Sequence, residues 1–278
     1  MTDAMMHGET ADDGFRELTE KITRESEFRC TSYKDKCVRR RIAVRMRARG
    51  TETYEQYSGL LDADHGEYEW LLDALTVNVT KFFRNPTTYA AIAKHVIPDL
   101  WRRGASIDVW SAGSASGEEA YSLAALFYEH ARGLEQLGHL GRVSVVGSDI
   151  DRASLDAAHR ATYLPASFTD TTPELLERLF PPLDDRRTVI RPIRAMTRFE
   201  HRDLLRDPPP SEAFDLVACR NVVIYLDRDS QEGLLDALFD SLRPGGYLVM
   251  GHVETLFGRA RRHLVPVDAR ERIYRKTS

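Results

Sequence analysis

The stretch DVWSAGSASGEEAYSLA (residues 108–124) decides the fold. Apolar Ile107, Val109 and Trp110 lead into a turn of small residues, after which Ala120, Leu123, Ala124 and Phe127 recur at helical spacing. The pattern predicts a buried strand, a tight turn and a helix, an arrangement that usually cradles a nucleotide. The free N–H groups of a helix start attract anions. This turn nevertheless lacks the Lys followed by Ser or Thr of a triphosphate-binding loop, and it places Glu118 and Glu119 in the first helical turn. Two carboxylates repel a phosphate and suit a ligand with hydroxyls, an ammonium group or a sulfonium. The simpler reading is that both complement the helix dipole. With only Gly113 and Gly117 present, the dinucleotide fingerprint is incomplete.

Outward from this turn, apolar strand candidates at 107–111, 143–148, 214–219 and 247–251 alternate with helical stretches at 117–131, 152–161 and 229–242. That alternation predicts an α/β fold with a parallel sheet wrapped by helices, whose ligand lies beyond the carboxyl ends of the strands. Asp149 ends the second strand, where an acid can accept from both ribose hydroxyls; Asp151 competes with it for the helix cap. Arg220, Asn221 and Tyr225 follow the third strand at the same edge, although singly Asn221 fits a turn and Tyr225 a half-buried aromatic. Pro244, Gly245 and Gly246 predict a tight turn into the next strand. Residues 163–200, rich in Pro, Arg and Thr, are expected to form a small irregular or antiparallel excursion.

Residues 15 to about 84 carry helical patterns throughout. In KDKCVRRRIAVRMRAR (34–49), eight basic residues stand against one acid, in a chain whose net charge is −4. Val38, Ile42 and Met46 form a narrow apolar stripe there, so the segment is an amphipathic helix with Arg40 and Arg47 on its solvated face. It either faces solvent or meets an acidic partner; nucleic acid fits less well, because the rest of the chain is acidic. A linking helix is expected after Asn85, capped by its side chain, with Pro86 at the tolerated first position and an interruption near Pro98.

At 278 residues and 42% hydrophobic content, the chain can form two modest domains. Cys30, Cys37 and Cys219 make no C-x-x-C pair and read as reduced thiols; the nine histidines lack ligand spacing, so no metal site is expected. There is no apolar leader and no stretch long enough to cross a bilayer, which predicts a cytoplasmic protein.

Five segments, LTVNVTKFFRNP (75–86), WSAGSASGEEAYSLA (110–124), GSDID (147–151), CRNVVIYLD (219–227) and LRPGGYLVMGHVETL (242–256), resemble in order and spacing the CheR-type chemotaxis receptor methyltransferases. The resemblance implies a small all-helical receptor-recognition domain (11–90), then a Rossmann-like, mostly parallel, doubly wound catalytic domain (91–278) with an inserted subdomain (163–200). It implies S-adenosylmethionine-dependent esterification of chemoreceptor glutamates, with S-adenosylhomocysteine as product. Matching positions make Asn78, Thr80, Arg84, Glu119, Asp149, Asp203, Leu204, Arg220 and Asn221 cofactor contacts, Asp203 standing where the family often has Asn. Arg84 and Tyr225 are then expected beside the transferred methyl group, and Arg40 and Arg47 against the glutamate-lined helical bundle of the receptor. Some family members hold a receptor C-terminal peptide through a glycine-containing loop; LFPPLDDRRTVIRPIRAM (179–196) has no glycine, so no such tether is expected. The competing readings are a methyltransferase for another carboxylate, a non-catalytic cofactor-binding adaptor, and a nicotinamide-dependent oxidoreductase.

Overall fold

The helices expected before residue 84 form a unit of their own. In the computed structural model, which describes residues 3–26, 28–76, 78–209 and 213–277, they are α1 (Asp3–Glu25), α2 (Asp35–Arg49), α3 (Tyr54–Ala63) and α4 (Gly66–Leu75). Their core is Phe15, Leu18 and Ile22 of α1, the Val38, Ile42 and Met46 stripe of α2, Tyr57 and Leu61 of α3, and Leu71 and Leu75 of α4. Gly50, at φ +67°, ends α2 in the left-handed conformation that glycine adopts without strain. Residues Tyr225–Ser230 pack with this unit: the Lys34 N–H donates to the Tyr225 carbonyl at 2.9 Å and the Asp227 N–H to that of Ser32 at 3.0 Å.

Much of the basic charge of α2 is used inside this unit. Glu67 is fully buried and accepts from Arg45 through both oxygens, at 2.9 and 2.8 Å, from Arg49 at 3.2 Å and from the Tyr57 hydroxyl at 2.7 Å. Arg39 pairs with Asp12 and lies 3.7 Å over the Phe15 ring, while Arg41 donates to the Leu75 carbonyl. Arg40 and Arg47 are exposed, as the helical spacing predicts.

The second unit, residues 78–224 and 231–278, begins with α5 (Pro86–Ala91). The segment 78–85, grouped above with the helical region, therefore belongs to this unit, where Phe82 and Phe83 join the main core. Helix α5 runs into a π-helical turn at Ile92–Val96 and then α6 (Ile97–Arg102). This is the interruption expected near Pro98, which has no N–H for the helix ladder and crowds the carbonyl one turn back. The expected Asn85 cap does not form; Asn85 sits at φ +63° and its side-chain oxygen accepts from Arg220 instead.

Strand β1 (Ile107–Ala112) is followed by α7 (Glu118–Gly133), β2 (Val143–Asp149) and α8 (Arg152–Arg160), whose cap is Asp151. Three short strands, β3 (Thr162–Tyr163), β4 (Pro182–Leu183) and β5 (Arg186–Thr188), make a separate antiparallel sheet around α9 (Pro173–Leu179). After α10 (Arg191–Met196) come β6 (Thr197–His201), β7 (Phe214–Cys219), α11 (Arg228–Ser241), β8 (Leu242–Met250), α12 (Gly258–His263), β9 (Leu264–Asp268) and β10 (Ile273–Lys276).

The main sheet has the order β6-β2-β1-β7-β8-β10-β9, its first five strands parallel and β10 antiparallel to both neighbours. It is a Rossmann-like, doubly wound sheet. Two sequence expectations need correction. The 163–200 excursion stops short of its expected end, because Thr197–Glu200 already belong to β6 and pair with β2. Pro244, Gly245 and Gly246 form no separate turn: they lie inside β8, where Gly245 at φ +75° accompanies a register shift opposite Phe214 and Leu216. The antiparallel end, β9 and β10, was not anticipated. No helix among the described residues is long and apolar enough to cross a membrane.

Candidate functional site

Parallel strands all finish at one edge, so β6, β2, β1 and β7 deliver their following turns to neighbouring positions. After β1, the Gly113 and Ser114 N–H groups both donate to the Ser148 carbonyl at 2.9 Å, bending the chain back over β2. A side chain at Gly113 would meet Val222 at 2.5 Å, and one at Gly117 would meet Ala158 and Phe199 at 2.8 Å. The two glycines are thus required by contact as well as by their positive φ.

Asp149 closes β2 and is 9% exposed. One of its oxygens accepts from the Ala115 N–H at 2.8 Å and the other from the Asp151 N–H at 3.0 Å. Burial raises its pKa, against these amides. A carboxylate offers about four lone-pair sites, so acceptors remain for a diol.

Glu118 and Glu119 are not the unpaired acidic lining that the sequence suggested. Glu118 is buried and accepts from Ser116 at 2.7 Å and Ser167 at 3.3 Å. Glu119 accepts from Ser111 at 2.9 Å and pairs with Arg220 at 3.4 Å, the two side chains being 12% and 2% exposed. Burial raises the pKa of both glutamates, with the Arg220 charge opposing the rise at Glu119. Carboxylates this far from water persist only when paired or hydrogen-bonded.

Arg220 follows β7. Besides Glu119 it reaches the Arg84 carbonyl and the Asn85 side-chain oxygen, both at 2.9 Å, and lies over the Tyr89 ring. The segment 78–85 is tied at its other end by Asn78, which donates to Asp151 at 2.6 Å. It therefore runs along the strand ends from β2 to β7, carrying half-buried Thr80 and Arg84 with it. Arg84 donates to the Val79 carbonyl at 2.8 Å, which leaves most of its five N–H donors for a ligand. After β6, Asp203 accepts from the Leu205 N–H at 2.8 Å and Leu204 is half-buried beside it.

The edge thus gathers Asn78, Thr80, Arg84, Glu119, Asp149, Asp203, Leu204, Arg220 and Asn221. Four non-glycine residues in these turns, Phe83, Asn85, Ala115 and Asn221, hold positive φ, an uncommon conformation that concentrates at functional sites. Tyr225 belongs to the helical unit, where the Arg41 guanidinium lies 4.8 Å from its ring centre.

Sequence reasoning missed Glu254. It is 2% exposed and accepts from the Gly251 N–H at 2.7 Å, and the backbone amides of Asn221, Val223 and Ile224 also lower its pKa against a rise from burial. It therefore braces the turn that carries Arg220 and Asn221. Glu254 lies within the family-like segment 242–256, but no periodicity marks an acid that interacts with the Gly251 amide close by and with amides about thirty residues away.

Comparison with known proteins gives two family matches. Residues 78–273 match the "CheR methyltransferase, SAM binding domain" and residues 13–76 the "CheR methyltransferase, all-alpha domain". A chemotaxis protein methyltransferase of Salmonella typhimurium is 32% identical over 254 residues, 88% of this chain and 84% of that one. Another, from Escherichia coli, is 30% identical over 263 residues, 91% of this chain and 87% of that one. A 104.1 kDa protein of Rhodobacter capsulatus is 33% identical over 242 residues, and the match spans 25% of its length. The edge described above fits S-adenosylmethionine: the buried Arg220 Nε has no hydrogen-bond partner among the described residues and is an orphan donor beside Glu119.

Proposed function

This chain belongs to the CheR methyltransferase family, and from that premise we propose that it esterifies glutamate side chains of methyl-accepting chemoreceptors, producing glutamyl methyl esters and S-adenosylhomocysteine. That it is an S-adenosylmethionine-dependent methyltransferase follows from the family; the receptor glutamate is the reading advanced here. The observation that carries it is the likeness over most of the chain to chemotaxis protein methyltransferases, together with a strand-end edge that suits their donor and holds no triphosphate loop.

Bound S-adenosylmethionine supplies a methyl group on a sulfonium. Asp149 would accept from the ribose hydroxyls, Asp203 and Leu204 would lie on the adenine side, and Asn78, Thr80, Glu119, Arg220 and Asn221 would complete the binding surface. The free N–H groups of Arg84 would orient the acceptor carboxylate, and the Tyr225 hydroxyl would help to position the methyl donor. A glutamate of pKa about 4.3 is ionised at neutral pH, so no general base is needed. Alignment and exclusion of water are what remain, and effects of this kind reach roughly 7–11 kcal/mol. The exposed arginines of α2, Arg40 and Arg47, steer the glutamate-lined helical bundle of a receptor. The hairpin joining β4 and β5 turns through Asp184 and Asp185 and has no glycine, so no receptor-tail tether is proposed. The reaction is placed in the cytoplasm.

The test is incubation with methyl-labelled S-adenosylmethionine and receptor cytoplasmic fragments. Label in the receptor band that leaves as methanol in alkali supports the proposal. Label that is alkali-stable, or absent from receptors while present on another acceptor, refutes it.

A further inference from the structure

A cavity lies in the same unit, and none of its lining residues belongs to the edge assigned above. It measures about 490 Å³ and is walled by Tyr121 of α7, His159 of α8, Arg191 and Arg194 of α10, and Thr197 and Phe199 of β6. No lining residue is acidic. Nearby arginines are spent on carboxylates: Arg187 on Glu177 at 2.6 Å, Arg178 on Glu129 at 3.0 Å and Arg202 on Glu200 at 3.0 Å. Arg191 and Arg194 have no carboxylate partner among the described residues. Three residues apart on one helix, they share a side. Two guanidiniums with no counter-charge at the mouth of a cavity are a site for an anion, and their planar forks match phosphate oxygens.

The floor is aromatic. Phe199 and Tyr121 meet at 5.2 Å and 70°, and Phe199 and His159 at 5.5 Å and 69°. The Nδ1 of His159 is held by the Leu155 carbonyl at 2.8 Å, which leaves Nε2 as the ring nitrogen without a partner among the described residues. The volume falls in the range of small-molecule sites and suits a mononucleotide-sized ligand better than a chain segment. We propose that this cavity binds a small aromatic phosphate, its phosphate on Arg191 and Arg194 and its ring against Phe199.

Such a ligand would touch the rear of the cofactor edge. The Phe199 ring packs so closely on two glycines that a Cβ at Gly117 would meet it at 2.8 Å and one at Gly147 at 2.6 Å. An occupant resting on Phe199 thus presses on the wall behind the turn after β1, and binding at the two sites is expected to be coupled. By linkage the coupling is reciprocal.

The test uses the full chain saturated with S-adenosylhomocysteine, so that the first site is filled, titrated calorimetrically with phenyl phosphate. One equivalent is expected to bind saturably. Arg191→Ala with Arg194→Ala should weaken it by about tenfold or more, whereas Arg198→Ala, an exposed arginine held by Ser144, should leave it unchanged. Phenol and inorganic phosphate, each carrying half of the recognised chemistry, should bind more weakly than phenyl phosphate. Both pocket arginines are exposed, so the double variant should keep the wild-type Tm; if it does not, Arg194→Gln alone is used against the same criterion. Absence of saturable binding, equal binding by the pocket variants, or binding of oligonucleotides or phosphopeptides without phenyl phosphate overturns the proposal. None of these outcomes depends on which acceptor the enzyme methylates.

Discussion

Arg220 ties its own turn to two pieces of chain remote in sequence: Glu119 at the start of α7, and the neighbouring Arg84 carbonyl and Asn85 side chain. Replacing it by Met leaves the Glu119 carboxylate buried without its counter-charge, which typically costs about 3–5 kcal/mol. Urea unfolding of Arg220→Met should show that loss; a loss under about 1 kcal/mol would mean the pair matters little to the fold. Tyr225 is a different case, because its proposed role concerns geometry during transfer. Tyr225→Phe is expected to lower kcat by roughly tenfold to a hundredfold with unchanged S-adenosylhomocysteine affinity, measured by steady-state kinetics and calorimetry. Unchanged turnover removes Tyr225 from the reaction. Both residues were named from the family motif CRNVVIYLD, whereas Glu254, although inside the family-like segment LRPGGYLVMGHVETL, was given no role, because its part in this turn depends on tertiary contacts.

Among the elements, α2 shows how a charge run divides once packed. Arg39, Arg41, Arg45 and Arg49 are engaged within the helical unit. Lys36, Arg40 and Arg47 are exposed, with no ion pair among the described residues, and fall within about 40° of one another around the helix. Reversing two of these charges, Arg40→Glu with Arg47→Glu, should slow association with receptor fragments by about tenfold at low salt and flatten its salt dependence, with stability changed by less than about 0.5 kcal/mol. Stopped-flow binding across ionic strengths checks this, and a salt-indifferent rate in the wild-type chain would leave the stripe as a solvated face. In the sheet, a methyl at Gly147 would collide with Phe199, so Gly147→Ala should destabilise by about 1–3 kcal/mol in thermal or urea unfolding. The helical spacing foretold the buried stripe of α2, but not which arginines would meet Glu67.

At the scale of the molecule, Asp99 links α6 to β8. It accepts from Arg103 at 2.7 Å, from Arg102 at 2.8 Å and from the Tyr247 hydroxyl at 2.8 Å. Burial alone would raise its pKa; these donors outweigh burial and hold it at about 2. A pKa depressed on folding contributes stability that is full above the unfolded value, about 3.9, and is lost as pH falls through about 2. The stability difference between the wild-type chain and Asp99→Asn should therefore shrink between pH 4 and pH 2, as followed by denaturant unfolding; a difference constant over that range would contradict the assignment.

By itself, the sequence determined the alternation of strands and helices, the amphipathic face of α2, the glycine turn after β1 and the family motifs, because each is written in residues close together along the chain. Only the tertiary structure decided that Glu119 meets Arg220, 101 positions away, that Asn78 and Arg220 fasten the two ends of one covering segment, and that β6 joins the main sheet. Those pairings are fixed by strand order and burial: a charge taken out of water must find its partner wherever the sheet brings one, and local periodicity carries no information about which strand lies next to which.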